Sequence, residues 1–307
     1  MAKRIQNKIA ESRWALPICS AYTILICLIS GLVGEGIWLQ LAMTALATLL
    51  MVELNNSNAL IRIYSRMVSC TFLVLTMISP HHLESTDGCL VTLCCVAFFL
   101  ALCHAYQNKE ATGWVMIAFT AIGIASIVWI QILLLIPILW IILATNILAF
   151  SLKTFVSSIL GIAMPYWFMA AYYLNQGDIS PIGSHFAEIA KFGKPLLFTD
   201  LSAAYILPLS FVSILTIIGI IHFLRSSYKD KIRTRMIFEM FIVASISAMA
   251  FILLQPQHSN MAMRMLIVSA SPLIGHFLAL TSTKLTNIAT LAFMAAALLI
   301  TAYNIWM

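Results

Sequence analysis

Charge is the scarcest commodity in this sequence: only 9% of its 307 residues are Asp, Glu, Lys or Arg, while 62% are hydrophobic. A soluble domain has about 25% charged residues. So few polar groups cannot cover a water-facing globule of this length, and the balance indicates a polytopic membrane protein. Acids are scarcer than bases, giving a net charge of +6. The bases sit in short segments between apolar runs, which is the pattern of membrane topology and argues against nucleic acid as a partner. Seven cysteines all fall in or beside apolar runs, and none forms CxxC pairs at zinc spacing. They are expected to be small buried hydrophobes. HExxH and phosphate-binding glycine loops are also missing, so neither a metal nor a cofactor is expected. The first apolar run lacks a small-residue cleavage site, so no cleavable signal peptide is expected.

What is plentiful is apolar sequence of membrane-crossing length, about 20 residues per span. Helices are expected at about 14–33, 37–54, 63–80, 88–106, 113–130, 132–150, 155–174, 203–224, 235–254, 261–280 and 286–305. The fold class is therefore all-α, a single transmembrane bundle of about eleven helices over residues 1–307. The uncharged run 114–150 is too long for one helix and is divided near Trp129–Gln131, where an aromatic and an amide suit an interface.

The basic residues orient this layout. With the N-terminus in the cytoplasm, the inner segments hold Lys3, Arg4, Lys8, Arg13, Arg62, Arg66, Lys109, Lys153, Arg225, Lys229, Lys231, Arg233, Arg235 and Lys284. Only Lys191, Lys194 and Arg264 fall outside. That asymmetry satisfies the positive-inside rule, places the C-terminus outside and implies a bacterial inner-membrane protein. Arg62 and Arg66, four apart, are expected on one face of a helix starting near Asn58 and anchored to lipid phosphate. The loop "RSSYKDKIRTR", with Arg225, Lys229, Lys231, Arg233 and Arg235, is a second such anchor. Glu239, four residues after Arg235, suggests a local ion pair.

A long outer loop spans about 175–204. In it Ser180 can cap a short helix with Pro181 in its first turn, and Ile182, Phe186 and Ile189 share one face, as in a helix lying on the membrane surface. His185 is a candidate general base there, with Asp178, Glu188 and Asp200 as candidate partners. Adjacent His81 and His82 are an outer-turn feature, since sequence neighbours seldom chelate one metal. Glu35, in a tight outer turn, is a solvated turn residue or an acid beside a sugar donor. "PYWFMAAYYL" (165–174) reads as an aromatic belt or a wall beside a glycan.

Arg264, in "HSNMAMRMLIVSASPLIGHF", is the one arginine on the outer side. Ser271 and Gly275 lie within about 20° of its helical face. One reading is a snorkelling arginine above a close helix contact. The other is a guanidinium that grips an anionic headgroup or pyrophosphate, with Ser271 below it and His258 nearby.

The stretches "NNSNALIRIYSRMVSCTFLVLTMISPHH" and "SLKTFVSSILGIAMPYWFMAAYYL" resemble a family of Bacteroidota polytopic membrane proteins, over about residues 50–175. The resemblance implies an inner-membrane protein of this size and supplies no catalytic residues. More distantly, the many spans, late outer loop and outer arginine with nearby histidines look like transferases and ligases of polyprenyl-linked glycans. The first outer loop is much smaller here, and the chain shorter than typical ligases. The expectation is handling of a lipid-linked envelope precursor at the outer leaflet. Arg264 and Ser271 would bind substrate, and His185 or His258 would deprotonate an acceptor. The rivals are a noncatalytic subunit bound to a membrane protein partner and a transporter of apolar lipid, the spans being nearly free of charge at their middles.

Overall fold

The computed structural model describes residues 4–196 and 202–306, with every side chain among them except that of Glu35. Lys3, Asp200 and the Glu35 side chain therefore lie outside the description. The described residues form an all-helical bundle with no strand. In chain order the helices are α1 (Ile5–Ala10), α2 (Ala15–Ile29), α3 (Trp38–Asn58), α4 (Met67–Met77), α5 (Thr86–His104), α6 (Thr112–Val128) and α7 (Ile136–Thr145). Then come α8 (Leu152–Gln176), α9 (Ser180–Ala187), α10 (Ala203–Ser226), α11 (Ile232–Leu254), α12 (Ser259–Leu280) and α13 (Lys284–Trp306).

Each of the eleven expected helices has a counterpart in α2–α8 and α10–α13. Seven of these, α3, α5, α8 and α10–α13, are long and apolar enough to cross a membrane. The others are shorter for local reasons. The run 114–150 does break where expected: α6 ends at Val128, Trp129 leaves helical geometry, and a 3₁₀ segment (Ile130–Leu135) leads into α7. The expected helix 63–80 shrinks to α4. Its N-terminal part is lost because Ala59 takes a left-handed conformation that closes α3, while Asn55 Nδ2 bonds the Ser65 carbonyl across the turn at 3.1 Å. Arg62 and Arg66 consequently lie in this turn and not along a helix, which corrects the sequence reading.

The surface helix in the outer loop is present as α9, but Ser180 does not cap it. Asp178 does this work. Its Oδ1 accepts from the Ser180 N–H at 2.9 Å and from the Ser180 hydroxyl at 2.7 Å, which holds the Asp178 carboxyl below its usual pKa. An acid at this position also favours the helix N-terminus. The expected Arg235–Glu239 pair is not among the ion pairs formed, and Glu239 is exposed.

Helix α12 occupies the centre, packed on α4, α5, α10, α11 and α1, and nearly all of it is buried. Close approach there depends on glycine: a Cβ on Gly275 would stand 3.0 Å from the backbone nitrogen of Val68 in α4. The α6–α8 pair uses the same device at Gly161, where a Cβ would lie 2.6 Å from the Met116 carbonyl. On the outer flank, α8, α10 and α13 keep most of their surface outward, and Trp167, Phe168 and Tyr172 of the aromatic stretch are exposed, as a lipid-facing belt requires.

The inter-helix segments alternate between the two ends of the bundle. At the N-terminal end Arg4 bonds the Ser282 carbonyl, Arg62 faces Asp230, Arg233 reaches Asn58, and Ser151 meets Lys109. At the far end Gln40 meets Thr86, His81 meets Asn304, His185 meets Ser126, Gln131 meets Glu188 and Gln257 meets Lys191. These are the two groups into which the basic residues divide the sequence.

Candidate functional site

Arg264 lies in the second turn of α12 at the far end, and it is only 3% exposed. It does not reach out to an interface as a snorkelling side chain does. Its guanidinium turns inward and rests on Gly88 in the first turn of α5, in space that any Cβ would occupy. Nη2 donates to the His82 carbonyl, and Nε points at Asn260 Oδ1, 3.4 Å away. The Cys89 thiol and Tyr205 hydroxyl stand close enough to feel its charge. Among the described residues no carboxylate pairs with it.

His82 is held beside it by a 3₁₀ turn (Pro80–Leu83) between α4 and α5. Its imidazole is buried, its Nε2 has no hydrogen-bond partner, and its ring lies 6.3 Å from that of Tyr205. Burial, reinforced by the nearby Arg264 charge, pushes its pKa down to about 3. His82 is therefore a neutral imidazole at physiological pH. Its neighbour His81 points elsewhere, with Nδ1 2.7 Å from Glu84 and Nε2 3.0 Å from the Asn304 carbonyl.

The other sequence candidates are placed differently. His185 Nε2 faces the Ser126 carbonyl at 3.1 Å. A carbonyl only accepts, so the proton is on Nε2 and Nδ1 carries the lone pair. Tyr166, itself bonded to Ser126 at 2.7 Å, packs against His185 and Phe186. His185 thus fastens α9 to the tops of α6 and α8. His258 lies in a 3₁₀ turn (Pro256–His258), 3.2 Å from Gln257 Nε2 and within electrostatic reach of Glu188. Neither histidine is among the contacts of Arg264. Ser271 is fully buried and donates to the Ile267 carbonyl of its own helix at 2.5 Å. With Gly275 it serves the contact with α4, and it does not continue the Arg264 site.

At the N-terminal end the structure assembles a cluster that sequence spacing did not disclose. Asp230, inside the basic loop, turns its carboxylate into the bundle, where the side chain is 2% exposed. His276 Nε2 meets it at 3.2 Å and Arg62 Nη1 at 3.7 Å. Phe223, Phe238 and His222 enclose the His276 ring. The signal was present as a single acid among five bases, yet only the fold shows that it points inward. The remaining bases of the loop divide by role. Arg225, Lys229 and Lys231 are exposed, as lipid anchors should be. Arg233 instead ties the loop to Asn58 Oδ1 at 2.9 Å and stacks over Tyr106, while Arg235 is half-buried. Arg66 bonds Asn56 Oδ1 at 3.3 Å and lies over Tyr64.

Compared with family models, curated proteins and solved structures, the chain matches none.

Proposed function

We propose that the protein binds the phosphate or pyrophosphate group of a lipid-linked envelope precursor at the outer leaflet of the bacterial inner membrane, through Arg264 and His82. The observation that carries this reading is a buried guanidinium with no carboxylate partner among the described residues. A cation held this way costs several kcal/mol in desolvation unless something compensates it. An ionisable group inside a membrane bundle is a functional candidate for that reason. An anion entering the site supplies the missing charge, and the planar guanidinium fork suits phosphate oxygens. His82 adds a neutral donor when its proton is on the unpartnered Nε2. The charge asymmetry of the sequence supports assigning the far end to the outer leaflet.

Proton abstraction is not part of this reading, because neither His185 nor His258 touches Arg264. The reading is one of binding and presentation, and the likeness to polyprenyl-linked glycan transferases supports it by analogy only.

The test is mass-spectrometric profiling of lipid-linked glycans in a deletion strain complemented with wild type, Arg264→Ala or Arg264→Lys. The expected result is precursor accumulation in the deletion and in both variants, since a point charge does not replace the fork. An unchanged profile in the deletion overturns the reading in favour of a noncatalytic subunit. Full complementation by Arg264→Ala removes the arginine from the mechanism.

A further inference from the structure

An apolar cavity of about 280 Å³ lies in the half of the bundle nearer the N-terminus, enclosed by α2, α4, α10, α12 and α13. Its walls include Cys70, Leu75, Phe211, Ile274, Phe293 and Ala297. Apolar cavities of about 150 Å³ hold a benzene-sized guest, so this one accommodates a chain segment about twice that size. Thr71 and Thr290 also line it, but their hydroxyls bond carbonyls of their own helices, Met67 at 2.6 Å and Thr286 at 2.8 Å.

One polar atom in this wall is unsatisfied. Gln6 of α1 closes the end of the cavity and is 3% exposed. Its Nε2 donates to the Leu278 carbonyl at 2.8 Å and to Thr281 Oγ1. Flipping the amide does not relieve the problem. The Leu278 carbonyl can only accept, and the Thr281 proton is already given to the Phe277 carbonyl at 2.8 Å. The orientation is therefore fixed, and Oε1 is left buried with nothing donating to it. An unmet acceptor at the end of an otherwise apolar chamber specifies a guest with one donor and a hydrocarbon body. A charged ammonium does not fit that description, because no carboxylate lines the walls.

We propose that this cavity binds a long-chain lipid alcohol, its hydrocarbon filling the chamber and its hydroxyl donating to Gln6 Oε1. The remainder of the chain passes α13, the most outward-facing of the long helices, into the bilayer. This site is separate from Arg264 and stands or falls independently of it.

The full-length protein in nanodiscs is photolabelled with a diazirine-bearing straight-chain alcohol, the corresponding isoprenoid alcohol, and the methyl ether of each. Labelled peptides are then mapped by mass spectrometry. Either alcohol should label α4 near Cys70 and α13 near Ala297 about tenfold more than its ether, the worth of one hydrogen bond to a buried acceptor. The stronger of the two alcohols identifies the chain type. Gln6→Met should erase the preference for alcohol over ether, and Ala297→Phe should abolish labelling by both. Equal labelling of the wild type by alcohols and ethers overturns the proposal, and that comparison needs no variant. Labelling that survives Ala297→Phe unchanged overturns it as well, by placing the probe outside the cavity.

Discussion

Asp230 and Arg264 are both charged side chains hidden within the bundle, at opposite ends, and their surroundings differ in kind. Asp230 is met by His276 on one oxygen and Arg62 on the other, so its charge is answered from two sides. Arg264 has a carbonyl, an amide oxygen and a thiol near it, and no carboxylate among the described residues. The first arrangement is a structural joint that clamps the α10–α11 loop beneath α12. The second is an unfinished ion pair. Burial alone does not make a charge functional; burial without an answering charge is the sharper signal.

Substitutions should separate the two ends. The largest effect is expected for His276→Phe, which keeps the volume but strands the Asp230 carboxylate. Breaking such a pair costs about 3–5 kcal/mol, to be seen as a lower thermal midpoint in detergent. If the midpoint does not move, Asp230 is not held as described. Next is Gly88→Val, whose side chain must displace the Arg264 guanidinium. Overpacking of this kind costs about 1–3 kcal/mol and should also produce the precursor accumulation expected of Arg264→Ala.

His82 gives a prediction in pH. Its folded pKa, about 3, lies below its ordinary value of 6.5. Between those values the unfolded chain binds the extra proton, so stability is full above pH 6.5 and declines as the pH falls toward 3. The slope should approach but not exceed about 1.4 kcal/mol per pH unit. His82→Gln should flatten that acid limb in pH-dependent unfolding, and an unaltered limb would assign it to other groups. The smallest effect carries the opposite sign. Arg264→Met removes an unanswered cation and is expected to leave stability unchanged or raise it by about 1 kcal/mol while abolishing function. A marked loss of stability in Arg264→Met would make the arginine structural and erase the contrast between the ends.

Much of the architecture was legible in hydropathy, because helices that cross a membrane must satisfy their own backbone and so announce themselves as apolar runs. The break at Trp129 and the helix α9 were readable from an aromatic–amide pair and from a proline beside polar residues. Arg264 stood out because its side of the bundle has so few bases. His82 did not, since nothing in "SPHH" says which of two adjacent histidines turns inward. Asp230 was hidden among lysines and arginines for the same reason: direction is decided by tertiary packing. The turn at 59–66 escaped because a left-handed alanine closes α3, and alanine carries no sequence signal for that role.

The central position of α12 has a consequence for biogenesis. Helices enter the membrane in the order of synthesis, and this one is next to last. Its partners α4, α5, α10 and α11 must wait around an empty axis, with Asp230 lacking His276 and Gly88 facing a vacant notch. A ribosome stalled or a message truncated before residue 259 therefore leaves a ring of helices without its keystone, a product that membrane quality-control proteases should clear quickly. Loss of α13 alone, which leaves the keystone in place, should be tolerated far longer in a pulse-chase experiment.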